Sequence, residues 1–297
     1  MSVSLLSRVD DLGFIKREIA ARLISFGIEE EEASAEASIM IEHVAHLRPS
    51  QQLLSMRVKL SEEQLVRLDT ILGARAERVP IQYILEEAYF MGLKLKIKPG
   101  VFIPRPDTET LVEVTVKNLK KLFPDKQISL LEIGIGSGAI AISLLTMMRN
   151  LEVVAVDVSD QALAISAENA KTHGVDSRLK LIKESQWWTV GRGFHALVSN
   201  PPYIPRHQEP TLQLEVAKHE PELALYGTDE DGLGYYRQIG AQIGSVLDLE
   251  RGFVAVEVGD GQAQDVQSIF QQSGFADIEM HNDLCQIPRV VSGLRQN

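Results

Sequence analysis

Leu131-Glu132-Ile133-Gly134-Ile135-Gly136-Ser137-Gly138 decides the fold of this 297-residue chain. An apolar strand signal over Ser129–Ile133 runs straight into glycines, and a helical stretch follows. Glycines permit a tight turn and close backbone approach, while the next helix presents free N–H groups at its start. Short apolar runs recur at Glu152–Val156, Leu179–Ile182, Ala196–Val198 and Phe253–Val258, with helical stretches between the earlier ones. This alternation predicts βαβ units and an α/β domain with a mainly parallel, twisted sheet covered by helices on both faces.

The loop alone leaves its ligand open, because Gly134-Ile135-Gly136-Ser137-Gly138-Ala139 also fits the dinucleotide fingerprint with alanine in last place. The next strand ends at Asp157, about 20 residues further on, where a carboxylate can take both hydroxyls of a ribose. The plainer alternative, that Asp157 only caps the following helix, is weakened by Ser159, which can cap equally well. Glu132 shifts the balance away from a dinucleotide. A negative charge is costly beside a pyrophosphate and helpful beside a cation. Glu-x-Gly-x-Gly-x-Gly resembles the first motif of seven-strand-type methyltransferases, in which an acid ahead of the glycines sits near the positively charged methionine end of the cofactor. Its plainer alternative is a hydrogen bond to the loop backbone.

Upstream, Ile15, Ile19, Leu23 and Phe26 recur at helical spacing and Gly27 follows as a stop. Ile39, Ile41, Val44 and Leu47 predict a second helix, ended before Pro49. Ser61 with Gln64 forms a capping-box signature for a helix through Leu65, Leu68, Ile71 and Leu72. No strand signal precedes Tyr83, so residues 1–80 are expected to form a small helical bundle domain. Residues 81–109 read as a linker with a short β-hairpin, since Leu93–Lys98 alternates with period two and Phe102-Ile103-Pro104-Arg105-Pro106 cannot be helix interior. The α/β domain is expected over 110–297.

The fourth strand of the alternating region ends in Asn200-Pro201-Pro202-Tyr203. Two prolines fix two φ angles and remove two donors, leaving backbone carbonyls free to accept from something else. Asn200 adds a side-chain carbonyl and Tyr203 an aromatic face. An amide or exocyclic amine nitrogen is a poor nucleophile because its lone pair is delocalised. Accepting both of its N–H hydrogens, on Asn200 and the Pro201 carbonyl, places the NH₂ and stabilises charge that grows only as the nitrogen attacks. Tyr203 can pack on the planar group. Placement matters more here than acid–base strength, and no dedicated general base is required. The constellation points to methylation of a planar nitrogen; a rigid post-strand loop is its plainer alternative.

Composition narrows the acceptor. The net charge is −11, which disfavours tight binding to a phosphate backbone, so no direct nucleic-acid partner is expected. No apolar run approaches a membrane span. Residues 1–12 lack a leader's layout, so the cytosol is the expected compartment. Cys285 is the single cysteine, which excludes an intramolecular disulfide. His43 and His46 read as ordinary helix residues, and no metal site is expected.

The chain as a whole resembles the glutamine N5-methyltransferases that modify peptide chain release factors. The resemblance rests on Pro80-Ile81-Gln82-Tyr83-Ile84, Phe102-Ile103-Pro104-Arg105-Pro106-Asp107-Thr108-Glu109, the tetrapeptide, Glu220-Pro221 with Leu223-Ala224-Leu225, Asp231-Gly232-Leu233, Glu257-Val258-Gly259 and Arg289-Val290-Val291. It implies a seven-stranded, Rossmann-like class I methyltransferase domain behind the helical bundle, and S-adenosylmethionine as cofactor. Glu132, Gly134, Ile135, Gly136, Ser137, Gly138, Asp157, Trp187 and Asn200 would hold that cofactor. Asn200, Pro201, Pro202 and Tyr203 would bind and methylate the glutamine of a release factor's Gly-Gly-Gln loop, with the bundle gripping that protein and the enzyme acting as a monomer. Phe102, Arg105 and Thr108 either line the cofactor mouth or brace the domains. Two positions depart from the family pattern. Gln186 stands before Trp187 and Trp188 where an acid is usual, and Glu86 replaces a small residue after Ile84-Leu85. A ribosomal-protein glutamine methyltransferase, a DNA adenine-N6 methyltransferase and a catalytically idle adapter are the competing readings.

Overall fold

The computed structural model describes residues 11–54, 59–248 and 252–295. Residues 1–10, most of the stretch read for a leader, lie outside them. Two compact units result: one formed by the chain up to Glu86 with Leu214–His219, the other by Glu87–Gln213 with the chain from Glu220 onward.

The first unit is helical, with α1 (Leu12–Ser25), α2 (Glu30–Ala45), α3 (Pro49–Leu54), α4 (Glu62–Ala76) and α5 (Ile81–Leu85). Asp11 opens α1 by accepting from the backbone N–H groups of Gly13 and Phe14. Ile15, Ile19 and Leu23 then fall on one buried face, as spacing of four residues requires. On α2 the expected core position Ile39 is 40% exposed. The buried stripe runs instead through Ala33, Ala37, Met40, Ile41 and Val44. Two of these five residues are small alanines, and Ile39 lies outside the stripe. The Ser61–Gln64 capping box opens α4, with Gln64 N donating to Ser61 Oγ at 3.2 Å and Ser61 N to Gln64 Oε1 at 2.8 Å.

Arg75, fully buried on α4, clamps this unit together. Its guanidinium forks onto Glu36 at 2.8 and 2.9 Å, reaches Glu215 at 3.1 Å, and donates to the Val79 carbonyl at 2.7 Å. Arg78 closes on the other oxygen of Glu215 at 2.6 Å. Five donors in a rigid fork suit such a multi-acceptor site. Glu215 thereby fixes the distant segment Leu214–His219 to the helices.

The second unit begins with a hairpin, β1 (Glu87–Phe90) and β2 (Leu93–Lys96). Its two-residue loop puts both Met91 (φ 49°) and Gly92 (φ 75°) in the left-handed region, the turn whose twist matches paired strands. There follow α6 (Glu109–Leu122), β3 (Ile128–Ile133), α7 (Ala139–Met147), β4 (Leu151–Asp157), α8 (Asp160–Thr172), β5 (Leu179–Lys183) and β6 (Ala196–Ser199). After helix Gly234–Val246 come β7 (Phe253–Glu257), helix Ala263–Gln272, β8 (Phe275–Asn282) and β9 (Pro288–Arg295).

Seven strands form one sheet in the order β5-β4-β3-β6-β7-β9-β8. β3 through β7 are parallel, while β9 runs antiparallel to β7 and β8. Two buried clusters cover the sheet, one built on α6, α7 and α8, the other on Gly234–Val246 and Ala263–Gln272. The chain builds outward from β3 to β5, then crosses back to β6 on β3's other side. This reversal opens a crevice at the carboxyl ends of β3 and β6, where ligands bind in open α/β sheets.

Candidate active site

The glycine turn lies at that crevice. Gly134 N and Ile135 N donate to the Val156 carbonyl at 2.9 and 3.1 Å, binding the turn to the end of β4. Gly134, Gly136 and Gly138 all have positive φ, yet they serve different ends. A Cβ on Gly138 would lie 2.7 Å from Ile142 Cδ1 and 3.2 Å from Ser166 Cβ, so helix packing demands glycine there. A Cβ on Gly134 or Gly136 would meet nothing within 4 Å. Those two line open space, which a side chain would occupy in place of a ligand. Asn169 holds the turn from behind, donating to the carbonyls of Ser137 at 2.9 Å and Lys96 at 3.0 Å.

Asp157 stands beside the turn. Its Oδ2 accepts from Gly136 N at 3.0 Å and its Oδ1 from Ser159 N at 2.9 Å. Ser159 is the side-chain cap of α8, accepting from Ala162 N at 3.2 Å. Each carboxylate oxygen has two lone-pair sites, of which one is used, and can accept again. Tyr235 is a neighbour that sequence reasoning missed: burial first, then the Asp157 charge, push its hydroxyl above the usual range. Nothing in the local sequence marks it.

Glu132 is fully buried, and neither carboxyl oxygen has a hydrogen-bond partner among the described residues. Burial, with the Asp157 charge adding to it and the nearby backbone N–H of Ala141 in α7 working against both, holds its carboxyl well above the usual range. Unpaired buried carboxyl groups are rare and costly. A cation placed in the crevice would relieve this one.

The tetrapeptide leaves the adjacent strand end. Ser199 Oγ donates to the Ile133 carbonyl at 2.9 Å, tying β6 to β3 where the two motifs begin. Asn200 Nδ2 donates to Thr108 Oγ1 at 3.2 Å, and no hydrogen bond to the amide oxygen is formed among the described residues. Tyr203 OH donates to Glu257 Oε1 at 3.3 Å, and Gln262 Nε2 donates to the Tyr203 carbonyl at 3.0 Å. A Cβ on Gly232 would sit 2.2 Å from that same carbonyl. The Asp231-Gly232-Leu233 segment therefore requires glycine so that it can pack on the tetrapeptide backbone. Burial pushes the Glu257 carboxyl up to about 7, opposed mainly by the hydroxyls of Thr108 and Tyr203.

The proline-rich loop is braced from inside the same unit. The Arg105 guanidinium pairs with buried Glu220 and lies 5.2 Å from the centre of the Phe102 ring. Ile103 N donates to Glu220 at 3.3 Å. Arg289 pairs with Asp107 at 3.2 Å and with Asp283 at 3.1 Å, holding the turn that carries Thr108. Of the two tryptophans, Trp187 is buried in the core, and Trp188 is half-buried edge-on to it at 5.7 Å. Their turn follows β5, whose end lies next to Asp157 through the Glu184 N to Asp157 O bond at 3.2 Å. Glu86, the departure after Ile84-Leu85, takes a left-handed φ of 55° at the end of α5, a conformation a small residue or glycine adopts more cheaply.

Similarity to known proteins agrees with this geometry. Residues 16–85 match the family model for the PrmC N-terminal domain, and residues 92–226 that for the methyltransferase small domain. The release factor glutamine methyltransferase of Caulobacter vibrioides is 35% identical over 278 residues, covering 92% of this chain and 93% of that protein. The chain belongs to the release factor glutamine methyltransferase family. The protein of the same name from Geobacter sulfurreducens is 38% identical over 235 residues, 79% of this chain and 80% of its own. A methyltransferase structure from Pyrococcus furiosus, 15% identical, has the same fold over 70% of this chain and 91% of its own, with a TM-score of 0.50. The seven-stranded class I fold expected from the motifs is the fold observed.

The family's segments thus acquire reasons. Glu220-Pro221 anchors the proline-rich loop, Asp231-Gly232-Leu233 supports the tetrapeptide, and Arg289 fixes Asp107. Glu257 was quoted only as part of a last-strand segment. Its signal is an acid ending an otherwise apolar strand, Phe253-Val254-Ala255-Val256-Glu257.

Proposed function

We propose that this chain transfers a methyl group from S-adenosylmethionine to the side-chain amide nitrogen of the glutamine in the Gly-Gly-Gln loop of peptide chain release factors. The observation that carries the reading is the Asn200 amide beside the glycine-turn crevice, whose nitrogen donates to Thr108 while its oxygen has no hydrogen-bond partner among the described residues. Family membership supplies the substrate class.

The residues present fit the cofactor. Gly134, Ile135, Gly136, Ser137 and Gly138 offer a turn open to a ligand, and Asp157 offers acceptor capacity for the two ribose hydroxyls. Glu132 supplies a buried, unpaired carboxyl for a positively charged methionine end. The Trp187–Trp188 turn beyond β5, anchored in the core by Trp187, would border the adenine. Bound there, S-adenosylmethionine supplies an electrophilic methyl group on a sulfonium sulfur.

The protein's own part is placement and charge stabilisation. Asn200 Oδ1 and the Pro201 carbonyl accept the two hydrogens of the glutamine NH₂, turning its nitrogen toward the methyl group. Both acceptors strengthen as positive charge grows on that nitrogen, which selects the transition state over the bound substrate. Pro202 keeps the carbonyls rigid, and Tyr203 packs its ring on the planar amide while Glu257 holds its hydroxyl. With the methyl group supplied by the cofactor, these acceptors would hold the amide nitrogen in line with it, and the extra proton of the methylated amide would pass to water. The helical unit grips the release factor, and the enzyme works in the cytosol as a monomer.

Incubation with methyl-labelled cofactor and either a release factor or its loop Gln→Ala variant tests the reading. Label on the first protein and none on the second is expected. Label on DNA, or on the Gln→Ala variant equally, contradicts it.

A further inference from the structure

The tetrapeptide's own sequence leaves one of its residues free. Asn200 and Pro201 each precede a proline, which confines them to extended backbone, and the rings of Pro201 and Pro202 fix two φ angles. Tyr203 has no such ring and no proline after it. Its dihedrals, and with them the direction of its aromatic ring, must be set from outside. The segment after β7 sets them. Gln262 lies one turn beyond Gly259, its N donating to the Gly259 carbonyl at 3.1 Å. Its side chain reaches back. Oε1 accepts from Gly259 N at 3.0 Å, while Nε2 donates to the Tyr203 carbonyl at 3.0 Å and to the Asp231 carbonyl at 3.4 Å. All three partners are main-chain groups of fixed character, one that only donates and two that only accept, so the amide can sit only one way round. The surroundings leave no slack. A Cβ on Gly259 would lie 3.0 Å from Tyr203 Cδ2 and 2.8 Å from Gln262 Oε1, and one on Gly232 would lie 3.0 Å from Gln262 Nε2. Glycine on both sides gives one amide room to reach the Tyr203 carbonyl.

We propose that Gln262 is a positioning residue for methyl transfer, which holds the Tyr203 peptide and through it the aromatic ring that packs on the glutamine amide. The residue is then held at both ends, by Gln262 at its main chain and by Glu257 Oε1 at its hydroxyl, 3.3 Å away. Among the described residues, no hydrogen bond of the Gln262 side chain goes to the glycine turn or to Asp157, so its task lies on the substrate side of the site. The inference rests on the glutamine-methylating reading above and assigns a task to one residue outside the tetrapeptide.

Gln262→Met keeps the length of the side chain and removes both arms. Gln262→Glu keeps the acceptor for Gly259 and, once ionised, loses the donor for Tyr203. With ¹³C-labelled tyrosine, the Tyr203 ring signals are identified by their loss in Tyr203→Phe. They are expected to move in both Gln262 variants, while those of exposed Tyr89 coincide with wild type. In methyl transfer to a release factor, each variant is expected to lower kcat by roughly tenfold or more, with KM and cofactor affinity within about threefold. In a Tyr203→Ala background, Gln262→Met is expected to lower kcat by no more than about twofold further, because the ring it acts through is gone. Unmoved Tyr203 signals, an undiminished kcat, or a full further loss in the Tyr203→Ala background overturns the proposal. The ring signals are read without substrate. A protein that methylates no release factor therefore refutes the substrate, while the signals still decide whether Gln262 positions Tyr203.

Discussion

Replacing Glu257 by glutamine should stabilise the second unit in a way that depends on pH. Burial raises the Glu257 carboxyl from its ordinary 4.5 to about 7. Below the lower value the group is protonated in folded and unfolded chains alike and contributes nothing. Between the two values the unfolded chain has lost the proton while the folded protein retains it, so stability falls as pH rises. Above the upper value both are ionised and the whole penalty is present. A rise from 4.5 to about 7, at 1.36 kcal/mol per pH unit, amounts to about 3 kcal/mol. Glutamine cannot ionise and can still accept from Tyr203. The stability difference between Glu257→Gln and wild type should grow from near zero at about pH 4 to about 3 kcal/mol in the variant's favour at about pH 8. Urea unfolding followed by tryptophan fluorescence measures it, because Trp187 and Trp188, the only tryptophans, both lie in the second unit. Glu132 titrates in both proteins and cancels from the difference. A difference that is flat with pH, or that shrinks as pH rises, refutes the reasoning.

Further outcomes follow from the same geometry. Gly138→Ala, with its Cβ 2.7 Å from Ile142 Cδ1 and φ at +85°, should cost about 2–3 kcal/mol of stability in a denaturant titration. Gly136→Ala should instead weaken cofactor binding in calorimetry by more than about tenfold, with a smaller loss of stability than Gly138→Ala, because both pay the cost of a left-handed φ but its Cβ meets nothing within 4 Å. Arg75→Met leaves the Glu36 carboxyl buried without its Arg75 partner and Glu215 with Arg78 alone, and should destabilise the helical unit by about 3–5 kcal/mol, seen as early loss of helical circular dichroism on heating. Asp157→Asn should lower cofactor affinity by at least about tenfold in calorimetry and cost about 1–3 kcal/mol of stability, because its NH₂ faces one of the two backbone N–H groups that the carboxylate accepts from.

The parts of this fold that the sequence displays are those whose cause is local. The β3–glycine–α7 turn is legible because glycine is the residue that tolerates φ values of 78°, 53° and 85° in close succession. The capping box at Ser61 and the tetrapeptide are legible for the same reason. β8 is not legible. It is an edge strand whose burial does not alternate, and a bulge between Ala276 and Glu279, with Asp277 at φ 46°, breaks its period of two. Ile39 was misplaced because alanines mark the true core stripe of α2 only weakly. Glu215 joins the helical unit through a residue 140 positions away, and Glu257 takes its role from Tyr203, 54 positions away. No spacing rule reaches that far. The tetrapeptide identifies the chemistry, but the partners that aim it appear only in three dimensions.

The most direct test is tandem mass spectrometry of a release factor after incubation with this protein and S-adenosylmethionine. The account predicts one added methyl group, located by fragmentation on the side chain of the Gly-Gly-Gln glutamine, and none when Asn200→Ala replaces the wild-type enzyme. An unmodified glutamine, or a methyl group on any other residue, would contradict it.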